Sequence, residues 1–336
     1  VVISSFGSDA KKKFSKVRQI QIIACGTSFN AGIVAKYWLE DIAKIPCSVE
    51  VASEYRYRRP ILLDETLFIT LSQSGETADT LEALKNANKI NNQIITLCIT
   101  NSSESSLSRI SDLTFLTHAG PEIGVASTKA FTSQLVALAL LTCSIGKIKS
   151  TINESQEKEI VDGLKRLPGL INEVLLQEEQ IKKLAIQFKD KENALFLGRG
   201  TMHAIALEGA LKLKEISYIH AEAFPAGELK HGPIALIDKN MPVIAIAPND
   251  ELLEKLKSNL QEVKSRGSQM IVFEDKNSEV RPMEAMEIIP ITSNLGRITA
   301  PIIFTIPLQL LSYHVALIKG NNVDKPRNLA KSVTVE

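Results

Sequence analysis

The 336 residues carry 39 basic and 38 acidic side chains, with 44% hydrophobic and 23% charged residues, the balance of a folded protein with room for two ordinary domains. A net charge of +1 excludes a global field that would draw the chain to nucleic acid or anionic lipid, so any anion site must be local. The longest apolar stretch, Ala300 to Ile318, is broken by Pro307, Gln309, Ser312 and His314 and predicts a buried helix, not a membrane span.

The chain opens VVISSFGSDA, without an initiator Met, a cationic stretch or an apolar core, so no signal peptide is expected and the sequence reads as part of something longer. Strand-like runs follow at 20–25, 66–71, 93–100 and 113–117, alternating with helical patterns such as AGIVAKYWLEDIA and TADTLEALKNAN. That alternation implies α/β architecture with mostly parallel strands. The same order returns at 194–200, 241–248, 269–275 and 286–291. Laying IIACGTS on LFLGRGT pairs Gly26 with Gly200, and near the same shift SEYRYRRP meets GELKHGP and ITLSQSGET meets IAIAPNDE.

Four regions follow: a first lobe over 1–150, connecting helices over 151–190 broken at Pro168 and Gly169, a second lobe over 191–318, and an irregular tail over 319–336. Cys25, Cys47, Cys98 and Cys143 stand singly in apolar surroundings, the pattern of reduced core thiols in a cytoplasmic protein.

Chemistry concentrates in three places. In ITLSQSGETADTL, Ser72, Gln73, Ser74 and Thr77 surround Gly75 at a strand-to-helix junction, where unpaired helical N–H groups and the helix dipole favour a compact anion. One hydroxyl suffices for a helix cap, so four donor-bearing side chains in six residues predict a phosphate or sugar phosphate site. Neither GxxxxGK[ST] nor GxGxxG is present, which disfavours nucleoside triphosphates and dinucleotides. Thr27 and Ser28 of CGTS occupy the preceding junction and face the same crevice if the sheet is open. The second lobe has Asp250 and Glu251 at the matching place, so only the first lobe should take phosphate.

Next, AIALEGALKLKEISYI carries Glu208, Lys212 and Glu215 on one helix face, either as an ordinary ion-pair row or as acid/base machinery. Third, His231 lies in the rigid, non-periodic HAEAFPAGELKHGP, a setting more typical of functional groups than of core. No metal-ligand spacing and no GxSxG nucleophile pattern occur. A phosphate loop with carboxylate, imidazole and amine suits proton shuttling on a phosphorylated sugar.

CGTSFNAG, TLSQSGETADTL, EIGVASTKAFTSQ, LGRG, LEGALKLKEISYIHAEAFPAGELKHGP and DKPRNLAKSVTVE together resemble the isomerase half of the glutamine–fructose-6-phosphate aminotransferase family, across nearly the whole chain. The Ser-rich loop is shared by all sugar isomerase (SIS) domains, whereas GELKHGP with NLAKSVTVE is specific to this family. The resemblance implies two flavodoxin-like three-layer α/β/α SIS domains with parallel sheets, no cofactor and no metal.

It further implies that Ser72, Gln73, Ser74 and Thr77 hold the sugar phosphate and that Thr27, Ser28, Val125 and Ser127 line the sugar, with Glu208 beside them on the catalytic helix. Glu215 becomes the base between C1 and C2, Lys212 its aid at the C1 oxygen, and His231 the ring-opening group reaching across a homodimer. Lys331 becomes the Schiff-base lysine, a role no pattern in the residues reveals by itself. The ligands implied are fructose-6-phosphate, glucose-6-phosphate and glucosamine-6-phosphate. The family's glutaminase domain begins with a nucleophilic Cys that residues 1–20 do not supply, so no glutamine hydrolysis is expected of this chain.

Two other readings stand beside this one. A non-catalytic sugar phosphate sensor would use the same double fold for binding alone. A plain aldose–ketose isomerase would never use ammonia. The absence of a helix-turn-helix pattern or a basic patch argues against a DNA-binding regulator. Arg56, Tyr57, Arg58 and Arg59 form a basic cluster read as a solvated or subunit-facing surface.

Overall fold

The computed structural model describes residues 1–334. It places them in two compact units, Val1–Asp162 together with the chain from Ala330 onward, and Gly163–Leu329. The final Val335 and Glu336 of the C-terminal motif lie outside the described residues.

In the first unit β1 (Gln19–Ala24), β2 (Cys47–Val51), β3 (Thr66–Ser72), β4 (Ile95–Thr100) and β5 (Leu113–Leu116) form one sheet in the order β2-β1-β3-β4-β5, every pairing parallel. The central strands β3 and β4 are buried along their whole length, which is why TLFITL and ITLCIT read as unbroken apolar runs without alternation. The helices Gly26–Asp41 and Lys129–Ile148 pack against each other, and the first of them lies on β1 and β2. Ile23, Phe68 and Cys98 point the other way, into a cluster with Ala83, Leu84 and Ala87 of the helix Ala78–Ile90.

In the second unit β6 (Asn193–Gly198), β7 (His220–Pro225), β8 (Pro242–Ala247), β9 (Gln269–Glu274) and β10 (Met286–Pro290) run β7-β6-β8-β9-β10, again all parallel. Set β6 on β1 and the two orders coincide, as the internal repeat predicts. Gly26 and Gly200, paired by that repeat, open the helices after β1 and β6 with φ of 51° and 54°. A side chain is strained in that left-handed region, so both positions call for glycine. One face of this sheet packs Leu195, Leu197, Val243 and Ala245 against Leu253, Leu256, Leu260 and Val263 of the helix Leu253–Lys264. The helices Thr201–Ser217 and Thr299–Ile318 pack together, the first of them against β6 and β7.

Strand order 2-1-3-4-5 is the flavodoxin-like winding, in which ligands collect outside the carboxyl ends of the strands where the order reverses. The fold class expected from the sequence is therefore present in both units, and it places the β1 and β3 junctions side by side, with Ala24 opposite Leu71.

Two local expectations need correction. β2 and β7 were missing from the strand reading; both are edge strands, half-buried over most of their length, so CSVEV and HAEAFP carry no strong apolar signal. HAEAFP is accordingly strand, and the irregular segment begins only at Ala226. The break at Pro168 is also absent. One helix runs Glu154–Leu175 through Pro168, and the second, Glu178–Ala185, starts after a turn. Pro168 lies on the exposed side, where water can satisfy the carbonyl that proline leaves unbonded.

Lys129–Ile148 and Thr299–Ile318 are long and apolar enough to cross a membrane by length and composition, yet 67% of each apolar window is buried. Both serve as core helices of their units.

Candidate functional site

At the end of β3 the chain turns sharply through Ser72 to Thr77. The Ser72 hydroxyl, 3% exposed, accepts the Gly75 N–H at 3.0 Å and lies 2.9 Å from the Thr77 hydroxyl. Ser74 Oγ accepts the Glu76 N–H at 3.2 Å. Thr77 holds the N-cap position of the helix Ala78–Ile90 but its side chain makes no capping bond. Its hydroxyl turns toward Ser72 instead, so capping does not explain the cluster.

Gly75 has φ +70°, and a Cβ there would lie 2.1 Å from Ser105 Oγ. The loop is pinned from outside by Asn101 N–H and Thr100 Oγ1 donating to the Gln73 carbonyl, and by Leu107 N–H donating to the Gly75 carbonyl. Glu76 accepts the Ser106 N–H at 2.7 Å, and hydrogen bonds from the Ser106 hydroxyl and then its N–H hold the carboxyl below the usual range.

At the neighbouring junction Thr27 is half-buried, while Ser28 is buried and accepts from Gln134 Nε2 at 3.0 Å. Ser28 thus ties its helix to Lys129–Ile148 besides facing the carboxyl end of β1. A third loop, after β5, carries Val125 and Ser127, both half-buried. Glu122 shapes it by accepting the Thr128 N–H at 3.2 Å, the Thr128 hydroxyl at 3.0 Å and the Ala130 N–H at 2.8 Å. Asn101 fastens the start of this loop, donating to the Gly120 carbonyl and accepting the Ala119 N–H, each at 2.8 Å.

The tail completes this group. Lys331 Nζ donates to the Gly124 carbonyl at 2.7 Å, next to Val125, and the Val333 carbonyl accepts the Ala78 N–H at 3.1 Å. The first unit therefore gathers the Ser72–Thr77 loop, the Val125 loop and the tail lysine around the carboxyl ends of its strands. Glu122, Asn101 and Val333 had no sequence signal, because each acts across a loop closure with no fixed spacing.

In the second unit the helix Thr201–Ser217 presents Glu208, Lys212 and Glu215. Lys212 Nζ lies 3.5 Å from Glu208 Oε1 and 2.5 Å from Glu215 Oε2. Glu208 and Lys212 are 1% and 2% exposed, whereas the Glu215 side chain is 22% exposed. Burial alone would lower the Lys212 pKa, but Glu208 and Glu215 outweigh it and raise it above the ordinary lysine value. An ion-pair row that only decorates a helix surface would not be buried, and burying ions is weak as a source of stability. The accessible member is the carboxylate of Glu215.

His231 ends the short 3-10 turn Ala226–His231 and is exposed. At the matching junction after β8, Asp250 accepts the Leu252 N–H at 2.9 Å, putting a resident carboxylate where the first unit has hydroxyls. Burial raises the Asp250 pKa. The basic cluster largely resolves into ion pairs: Arg56 with Asp79 at 2.8 Å, and Arg58 with both oxygens of Glu50 at 2.6 and 2.7 Å, while Tyr57 and Arg59 stay exposed.

The SIS domain family model matches residues 13–144 and 187–319. The chain is 58% identical over its whole length to a glutamine--fructose-6-phosphate aminotransferase [isomerizing] of Pseudomonas syringae, covering 55% of that protein. It thus spans about half the length of the curated relatives it matches. The C-terminal domain of glucosamine-fructose-6-phosphate aminotransferase from Francisella tularensis superposes with a TM-score of 0.94 at 53% identity, covering 97% of this chain and 91% of that one. A glucosamine-6-phosphate deaminase from Thermotoga maritima follows the same fold, with a TM-score of 0.75, 25% identity and 98% of each chain covered. With the repeated 2-1-3-4-5 sheets, the hydroxyl loop and these matches in view, the chain belongs to the SIS domain family and, within it, to the C-terminal isomerase domains of the glucosamine-fructose-6-phosphate aminotransferases.

Proposed function

We propose that this chain binds fructose-6-phosphate, opens its ring and moves a proton between C1 and C2. The product is glucosamine-6-phosphate when ammonia is delivered by a glutaminase domain, and glucose-6-phosphate when it is not. The observation that carries the reading is the buried Glu208–Lys212–Glu215 row with its single accessible carboxylate.

Ser72, Gln73, Ser74 and Thr77 take the phosphate, with Thr27, Ser28, Val125 and Ser127 along the sugar and Glu208 beside the base. His231, supplied by the second subunit of a homodimer, protonates the ring oxygen as the anomeric hydroxyl loses its proton. Lys331 attacks the C2 carbonyl and water leaves, giving a Schiff base that ammonia then displaces. Glu215 removes a proton from C1 and returns one to C2, while the ammonium of Lys212 steadies charge on the C1 oxygen. The buried thiols, with Cys47 and Cys98 pushed up to about 12 by burial, suit a reducing cytoplasm.

The test is incubation with fructose-6-phosphate in deuterated water without glutamine, followed by NMR. Glucose-6-phosphate carrying deuterium at C2 is the expected result. Saturable binding with neither product nor exchange refutes catalysis by this chain and leaves a sugar phosphate sensor.

A further inference from the structure

The turn that bears His231 meets braced side chains at two points, both within the second unit. Arg199, the last residue but one before the helix Thr201–Ser217, donates from Nη1 to Asn259 Oδ1 at 3.0 Å, reaching the helix Leu253–Lys264. A Cβ on Gly227 would lie 3.0, 3.2 and 3.4 Å from Nη1, Nη2 and Cζ of Arg199. The two terminal nitrogens lie nearer than Cζ, so it is the tip of the guanidinium that packs against Gly227. A side chain at 227 would have to displace the guanidinium by a few tenths of an ångström.

Three residues on, Lys230 Nζ pairs with Glu262 Oε1 at 2.9 Å, on the same helix as Asn259. Ala226, just before the first contact, and Leu229, between the two, are fully buried in the cluster that holds Leu253 and Leu256. His231, at the end of the turn, is exposed together with Glu228 and Lys230, and is followed by Gly232 at φ +134° and Pro233. A rigid guanidinium held by Asn259 makes a stiffer stop against Gly227 than the flexible amine of a lysine at the same place.

We propose that Arg199 is a positioning residue for ring opening, its guanidinium setting the height and direction of the Ala226–His231 turn and hence of the His231 imidazole. This deepens the reading above and rests on it. In the step concerned the C2–O5 bond of the furanose breaks, O5 gains a proton, and the anomeric hydroxyl loses one to leave the C2 carbonyl. A misplacement of about 1 Å at such a group costs on the order of a hundredfold in rate.

The experiment compares two substrates by the rate of solvent deuterium incorporation. Fructose-6-phosphate needs ring opening, whereas 5-deoxyfructose-6-phosphate has no O5 to close on C2 and is always open-chain. Arg199→Ala and Asn259→Ala should slow exchange with fructose-6-phosphate by roughly tenfold to a hundredfold, yet stay within about twofold of the unmodified chain with the open-chain substrate. His231→Ala sets the upper limit, and Arg199→Lys, which keeps charge but not the plane, falls between.

Equal losses on both substrates, or no loss on either, overturn the positioning role. If Arg199→Ala unfolds, Asn259→Ala and Arg199→Lys decide the matter by the same ratio. Absence of exchange with either substrate in the unmodified chain overturns the functional reading instead, and is thereby distinguishable.

Discussion

Replacing Gly75 by alanine separates two costs that usually arrive together. Gly75 and Gly120 share a φ of +70°, but a Cβ at Gly120 meets nothing within 4 Å, while at Gly75 it lies 2.1 Å from Ser105 Oγ and 2.3 Å from Ser105 Cβ. Left-handed backbone costs a residue with a Cβ about 1–2 kcal/mol at either site. The collision with Ser105 adds about 1–3 kcal/mol of overpacking at Gly75 alone, because Ser105 is buried and its hydroxyl caps the helix Ser106–Ile110 by accepting from Ser108 N–H.

At about 2–4 °C per kcal/mol for a unit of this size, Gly120→Ala should lower the melting temperature of the first unit by roughly 2–8 °C and Gly75→Ala by roughly 4–20 °C. Scanning calorimetry on both variants measures the difference, and titration calorimetry with fructose-6-phosphate should show weaker binding for Gly75→Ala only. Adding Ser105→Gly removes the colliding atoms at the expense of a few tenths of a kcal/mol of capping, so the double variant should melt near Gly120→Ala. Equal shifts for Gly75→Ala and Gly120→Ala, with the double variant no better, would show that close packing against Ser105 is not what demands glycine in the loop.

Glu215→Gln keeps the shape of the accessible carboxylate without its basicity; it should bind fructose-6-phosphate with unchanged affinity and lose deuterium exchange, and undiminished turnover would remove Glu215 from the role of base. Mixing His231→Ala with Glu215→Gln protein should restore part of the activity if His231 serves the other subunit, since a mixed dimer then holds one intact set; no recovery at any mixing ratio contradicts a shared site.

Lys212→Met leaves Glu208 and Glu215 facing each other without a cation and should cost about 3–5 kcal/mol in urea unfolding near neutral pH. The folded pKa of Lys212 is raised, so its contribution is complete below the unfolded lysine value of about 10.4 and is lost only as pH climbs through the higher folded value. The stability gap between the unmodified chain and the variant should therefore hold level from pH 7 to about 9.5 and close above that, and a gap already closing near pH 8 would contradict the raised pKa.

The strands at the centre of each sheet were legible because burial on both faces leaves an unbroken apolar run, as in β3, β4 and β8. The edge strands β2 and β7 were not, since CSVEV and HAEAFP need apolar residues at few positions. Pro168 misled because a helix tolerates proline where its loosened turn faces solvent, and no local rule states which side that is. The hydroxyl-lined loop after β3 was legible from the crowding of Ser72, Ser74 and Thr77 around Gly75, all within one turn of chain. Lys331 was not: its amine finds Gly124 across 207 positions, so its neighbourhood exists only after folding. Glu122 and Arg199 went unseen for the same reason, their partners being backbone groups and a distant helix.

The first unit is discontinuous, its body made before the second unit and its tail after it. On the ribosome the loop at Ser72 and the cradle at Gly124 emerge early, yet the strand of chain that lends them Lys331 follows only when residues 163–329 have been translated, a delay of roughly ten to thirty seconds at ordinary elongation speeds. A nascent chain can therefore complete its Ser72–Thr77 loop well before it carries the Lys331 amine that closes on Gly124, and synthesis order alone keeps the two apart on a half-built protein.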